Sequence, residues 1–166
     1  MRRIALLAFV ALALPASVTA QARLMVGGGI SSPNGDFTDN VGTGQHARVG
    51  LQVGVPVFPL ALRAEGEIHR FSEDSGSGKA KLINGAISGV LSLGGIGLSP
   101  YIIAGVGSYQ YDATAREAVT NRGIHGGFGV SIGALGVGGF AEVRMVTIDG
   151  ADRDSRYVAS TIGFRF

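Results

Sequence analysis

From Leu60 to Arg70 the chain alternates residue by residue, with Leu60, Leu62, Ala64, Gly66 and Ile68 on one face and Ala61, Arg63, Glu65, Glu67 and His69 on the other. A period of two is the signature of a β-strand with one apolar and one polar side. The preceding segment repeats it, setting Ala47, Val49, Leu51, Val53 and Val55 against His46, Arg48, Gly50, Gln52 and Gly54. Extended along the chain, the pattern predicts eight strands at about 23–31, 45–55, 60–71, 80–93, 99–111, 122–133, 137–147 and 156–166. The connectors alternate too. Longer polar stretches (SSPNGDFTDNVGTG, SEDSGSGK, DATAREAVTN, IDGADRDS) follow strands one, three, five and seven, and tight turns (PVFP, GGIGL, ALG) follow two, four and six. Long loops at one end and short turns at the other describe an all-β, antiparallel up-and-down barrel. A soluble lipocalin-like barrel would alternate in the same way, so alternation alone leaves open which face meets solvent.

The segment before the first strand is of another kind. Met1, Arg2 and Arg3 precede an unbroken apolar run of 11 residues, Ile4 to Leu14, then Pro15 and two small-x-small patterns ending at Ala20 and Ala22. This is the layout of a helical secretory signal peptide over residues 1–20, with cleavage after 20 or after 22, and the run is too short to cross a bilayer as a helix. The predicted mature domain is therefore 21–166. Removing Arg2 and Arg3 leaves 12 basic against 12 acidic residues, so the formal charge of +2 disappears and with it the case for nucleic-acid binding. The absence of cysteine excludes disulfides, a thiolate nucleophile and a cysteine zinc site. Glycine is in surplus, 28 of 166 residues, which fits a narrow barrel with close strand approach. On this phasing Gly127 and Gly129 point inward, and Gly66, Gly105 and Gly107 point to lipid.

Three features favour a membrane. The polar faces carry opposite charges on neighbouring strands. Tyr101, Tyr109 and Tyr111 fall near strand ends in phase with the apolar face, where an interfacial girdle would place them. Finally, the last strand (RYVASTIGFRF) sets Val158, Ser160, Ile162, Phe164 and Phe166 on one face. Here the chain resembles the small eight-stranded bacterial outer-membrane β-barrel family, whose final strand ends in phenylalanine after alternating apolar residues. SPYIIAGVGSYQYD, GIHGGFGVSIG and GFAEVRM share that likeness. The resemblance implies a transmembrane barrel in the outer membrane of a Gram-negative-type cell. It implies export through the periplasm and an assembly signal, formed by Ile162, Phe164 and Phe166, that is read by the barrel-assembly machinery.

The predicted interior carries the candidate chemistry. Pro56 and Pro59 fix the turn between strands two and three, since neither can donate a ladder bond. With Val55 opposite Leu60, Arg48 faces Glu67, Gln52 faces Arg63 and His46 faces His69. A lumen network of Arg48, Arg63, Glu65, Glu67, Glu142 and Arg144 follows, filling the barrel or, alternatively, lining a narrow channel. His46, His69 and His125 are expected inside, toward the long-loop mouth, as hydrogen-bonded side chains, a metal pair or a pH-sensitive latch. No metal or other cofactor is predicted. Lipid A deacylases of this architecture use an outward-facing His-x-Ser pair, but His125 is followed by Gly126 and Gly127, so a lipid A-modifying enzyme is the weaker alternative. Asp149, Asp152 and Asp154 lack calcium-loop spacing. Arg116, Arg122, Arg153 and Arg156 could contact lipopolysaccharide phosphates. The expected role is structural or surface-interactive and non-catalytic, in a monomer whose partners are outer-membrane lipids and lipopolysaccharide.

Overall fold

Alternation of this kind produces strands only if each finds partners on both edges, and in the computed structural model every one does. The structure describes residues 22–34, 42–54, 58–72, 79–94, 97–112, 119–134, 137–149 and 155–166. The predicted signal peptide, Arg116, Arg153, Asp152 and Asp154 lie outside them. The eight strands are β1 (Ala22–Asn34), β2 (Gly44–Gly54), β3 (Leu60–Ser72), β4 (Lys79–Ser92), β5 (Leu98–Asp112), β6 (Val119–Ala134), β7 (Val137–Ile148) and β8 (Ser155–Arg165). Each pairs antiparallel with the next, and β1 pairs with β8 from Met25↔Arg165 to Asn34↔Arg156, closing the barrel. Closure leaves no sheet edge exposed. β2 and β3 pair with residue numbers summing to 115, as in His46↔His69 and Arg48↔Glu67, the register the two prolines imply.

The shortest strands, of 11 residues, are about 36 Å long at about 3.3 Å per residue, and a tilt of about 45° gives them a rise of about 25 Å, the height of a membrane barrel's apolar band. The β4–β5 turn is made tight by Gly94 and Gly97, whose φ angles of 84° and 82° lie in the left-handed region that side chains with a Cβ avoid.

The two faces of the wall are inverted relative to a soluble protein. Leu62, Ile87, Val106, Ile124, Phe128, Ile162 and Phe164 are each more than 60% exposed on the outside. Arg48, Arg63, Glu142 and Arg144 are at most 3% exposed inside. Water penalises such an exterior at about 25 cal/mol per Å² of apolar surface, whereas hydrocarbon accepts it. The lipocalin-like alternative falls here.

The phase of β5 corrects the sequence reading. Tyr101 and Tyr109 are 5% and 2% exposed, and Tyr111 is half-buried against the interior cluster, so these tyrosines fill the barrel and form no lipid girdle. Gly105 and Gly107 share that inward phase. A Cβ on Gly105 would lie 2.7 Å from His125 Nε2, and one on Gly107 would lie 3.0 Å from the Tyr109 ring. The cause is that β5 is apolar on both faces, with Ile102 and Val106 outside and Ile103 inside. Glycine and aromatic residues are complementary across the wall, since Tyr101 pairs with Gly129 and occupies the space its missing side chain leaves.

Candidate functional site

The inward phases of β2, β3 and β7 converge on one ionic cluster at mid-height. Glu142 receives Arg63 Nη1 at 2.7 Å and the Tyr101 hydroxyl at 2.9 Å, and it also accepts from Arg48 Nη1. Arg144 grips Glu65 through both terminal nitrogens, at 2.5 and 2.8 Å, while its Nε lies 2.5 Å from Glu142. Arg48 Nε sits 2.5 Å from Glu67 Oε1, out of line for a hydrogen bond, so that contact is one of charge against charge. Arg63 lies 3.6 Å from Glu65, with its guanidinium carbon 5.4 Å from the centre of the Tyr101 ring. Three arginines meet three glutamates, and the cluster is formally neutral. That balance matters because an uncompensated ion at this depth costs several kcal/mol.

Toward the long-loop end the ions give way to a hydrogen-bonded chain. Ser31 Oγ lies 2.9 Å from Nδ1 of both His46 and His69. His46 Nε2 is 2.8 Å from Thr161 Oγ1, and His69 Nε2 is 3.0 Å from Glu67 Oε2. With both rings neutral, one assignment satisfies every member: Thr161 donates to His46 Nε2, His46 Nδ1–H to Ser31, Ser31 to His69 Nδ1, and His69 Nε2–H to Glu67. Ser31, His69 and Glu67 thus form a Ser–His–Glu chain with the two ring nitrogens exchanged relative to an acyl-transfer triad, Ser31 on Nδ1 and Glu67 on Nε2. Ser31 and His69 are nevertheless 0% exposed, and the His69 ring stacks on Phe71 and meets the edge of Tyr157.

His125 stands apart. β6 begins at Val119, which carries His125 down the wall, and its Nε2 bonds Ser88 Oγ at 2.8 Å. Only His46 and His69 come together, with ring centres 5.1 Å apart. Among the described residues no three His, Cys, Asp or Glu side chains gather as a metal site. Ile162, Phe164 and Phe166 project outward, and the backbone of Phe166 continues the ladder to Leu24 with bonds of 2.8 and 3.0 Å.

Neither any protein-family model nor any curated protein sequence matches the chain. Solved structures do match in shape. Neisserial surface protein A superposes with a TM-score of 0.68 at 15% identity, over 87% of this chain and 96% of that one. Ail, the attachment invasion locus protein of Yersinia pestis, gives 0.55 at 11% identity over 87% and 99%. The N-terminal β-barrel domain of Pseudomonas aeruginosa OprF gives 0.54 at 13% identity over 89% and 100%. The chain has the fold of the small eight-stranded outer-membrane barrels.

As a barrel of this type, its membrane face is the outer one, and any site for a soluble ligand must open at an end. Sequence reading missed the residues that satisfy the histidines, namely Ser31, Thr161, Ser88 and Asn84, whose Oδ1 lies 3.2 Å from His69 Nε2. Asn84 and Ser88 could have been found, because they share the inward phase of β4. Ser31 meets His46 across the β1–β2 pair, and Thr161 becomes its partner only through the β1–β8 closure.

Proposed function

We propose that the mature chain is a non-catalytic outer-membrane barrel with a structural or surface-interaction role, its lumen closed by its own side chains. The observation that carries this reading is the neutral cluster of Arg48, Arg63, Arg144, Glu65, Glu67 and Glu142, which joins β2 and β3 to β7 across the interior. An ion passing this layer would have to displace short contacts between buried charges. The apolar layer of Phe71, Tyr109 and Tyr157 above it adds a second obstruction.

In this reading the short turns face the periplasm and the longer loops face outward, as the architecture of bacterial barrels favours. Outer-membrane lipids and lipopolysaccharide are its surroundings, the barrel-assembly machinery is its partner during biogenesis, and the barrel works as a monomer. Outward-facing Arg70, Lys81, Arg122 and Arg156 at the long-loop ends of their strands suit contact with lipid phosphates.

Planar-bilayer recording of the refolded barrel tests the closed lumen. The expected result is no steady conductance in the wild type. A steady open level in the wild type would instead establish the narrow-channel alternative.

A further inference from the structure

Below the ionic layer, at the short-turn end, the interior widens into a cavity of about 410 Å³. Its size is that of a small-ligand site. Three arginines reach it, Arg23, Arg63 and Arg165, and no aspartate or glutamate is among the described residues that line it. The barrel register sets these groups side by side. Arg63 on β3 pairs with Gln52 on β2, Gln52 pairs with Arg23 on β1, and Arg165 on β8 pairs with Met25, two residues along β1 from Arg23. Four adjacent strands therefore present one arc of donors. Gln52 accepts from Arg63 Nε through its Oε1 at 3.0 Å, which leaves its amide nitrogen as a further donor. Ser92 and Ser131 stand on the same cavity wall.

The arc differs from the ionic layer above it. Arg48, Arg63 and Arg144 each lie within 4 Å of a glutamate, which neutralises them inside the wall. Arg23 and Arg165 add two cations to a chamber whose described lining residues include no aspartate or glutamate. Diagonal neighbours across paired strands lie roughly 7–8 Å apart, a spacing that one multi-oxygen anion bridges. Arginine's planar fork binds such oxyanions in pairs of parallel hydrogen bonds. The floor, made by Arg63 and Tyr101 bound to Glu142, gives the anion a dead end to rest against.

We propose that this chamber is a binding site for a phosphate-type oxyanion, such as a phosphomonoester or a lipid phosphate headgroup. Its assignment to the periplasmic side, and its dead end, rest on the orientation and closed lumen proposed above. Binding itself does not depend on the orientation.

The test is isothermal titration of the refolded barrel with pyrophosphate, in non-ionic detergent at low salt. A second arm uses ³¹P NMR on nanodiscs containing phosphatidylglycerol in phosphatidylcholine. The expected result is one saturable site per barrel that weakens at least tenfold in Arg165→Gln and in Arg23→Gln. Arg165→Lys should recover part of the loss, and Gln45→Ala, exposed at the opposite end of the barrel, should match the wild type. Heat-modifiable migration and far-UV circular dichroism confirm folding of each variant. Saturation by pyrophosphate assigns a soluble ligand, whereas an Arg165-dependent response confined to phosphatidylglycerol assigns a lipid headgroup. No saturable binding in either arm, or binding that survives both glutamine variants, would overturn the proposal. A conducting wild type that still binds pyrophosphate would remove the closed lumen and leave the site.

Discussion

Glu142→Gln is the sharpest probe of the interior because it removes one charge while keeping the side chain's shape. Glu142 takes part in four contacts: with Arg48, with Arg63 at 2.7 Å, with Arg144 at 2.5 Å and with the Tyr101 hydroxyl at 2.9 Å. The substitution leaves three arginines against two glutamates in a layer where Arg48, Arg63, Glu142 and Arg144 are at most 3% exposed. Breaking a buried ion pair costs about 3–5 kcal/mol, a factor of roughly 10² to 10³·⁵ in the folding equilibrium. With a urea m-value of about 2 kcal/mol/M, the unfolding midpoint falls by about 1.5–2.5 M. The chain has no tryptophan and four tyrosines. Tyr101, Tyr109 and Tyr157 are buried inside and Tyr111 packs against them, so tyrosine emission in phosphatidylcholine vesicles reports the interior directly. Heat-modifiable migration supplies the second readout. The double variant Glu142→Gln with Arg63→Gln restores neutrality and should recover about half of the loss. A midpoint shift under about 0.5 M, or a double variant no more stable than the summed single effects, would refute the charge-balance argument.

Three further outcomes follow from the wall. Gly129→Ala puts a Cβ 2.4 Å from the Tyr101 ring and 2.8 Å from the Ala141 carbonyl, so urea unfolding should show a loss of about 1–3 kcal/mol. Gly66→Ala meets nothing within 4 Å and should stay within about 0.5 kcal/mol of the wild type. Ile87→Arg places a charge on the lipid face at the middle of β4, where Ile87 is 62% exposed, and should cost about 2–4 kcal/mol in vesicle-refolded protein. An unchanged midpoint there would mean that this face does not contact hydrocarbon.

Strand two and strand three could be read from the chain because their two faces differ in kind. Arg48, Glu65 and Glu67 can only go inside a lipid-embedded wall, and the proline-bounded turn then sets their register. The same local logic located the other strands and marked Glu142 and Arg144 as interior ions. It failed on β5, where Ile102 and Ile103 are equally apolar, and the choice passed to packing. Tyr101 and Tyr109 turn inward because Gly129, Gly107 and Gly123 leave room for them across the wall.

Closure decided the rest. Thr161 reaches His46 across 115 positions, Arg48 meets Glu142 across 94, and Arg165 joins Arg23 only because β8 returns to β1. Alternation along a strand is a local property and shows in a window of ten residues. Which inward side chains share a layer depends on how the sheet rolls up, and no segment of the chain carries that information alone.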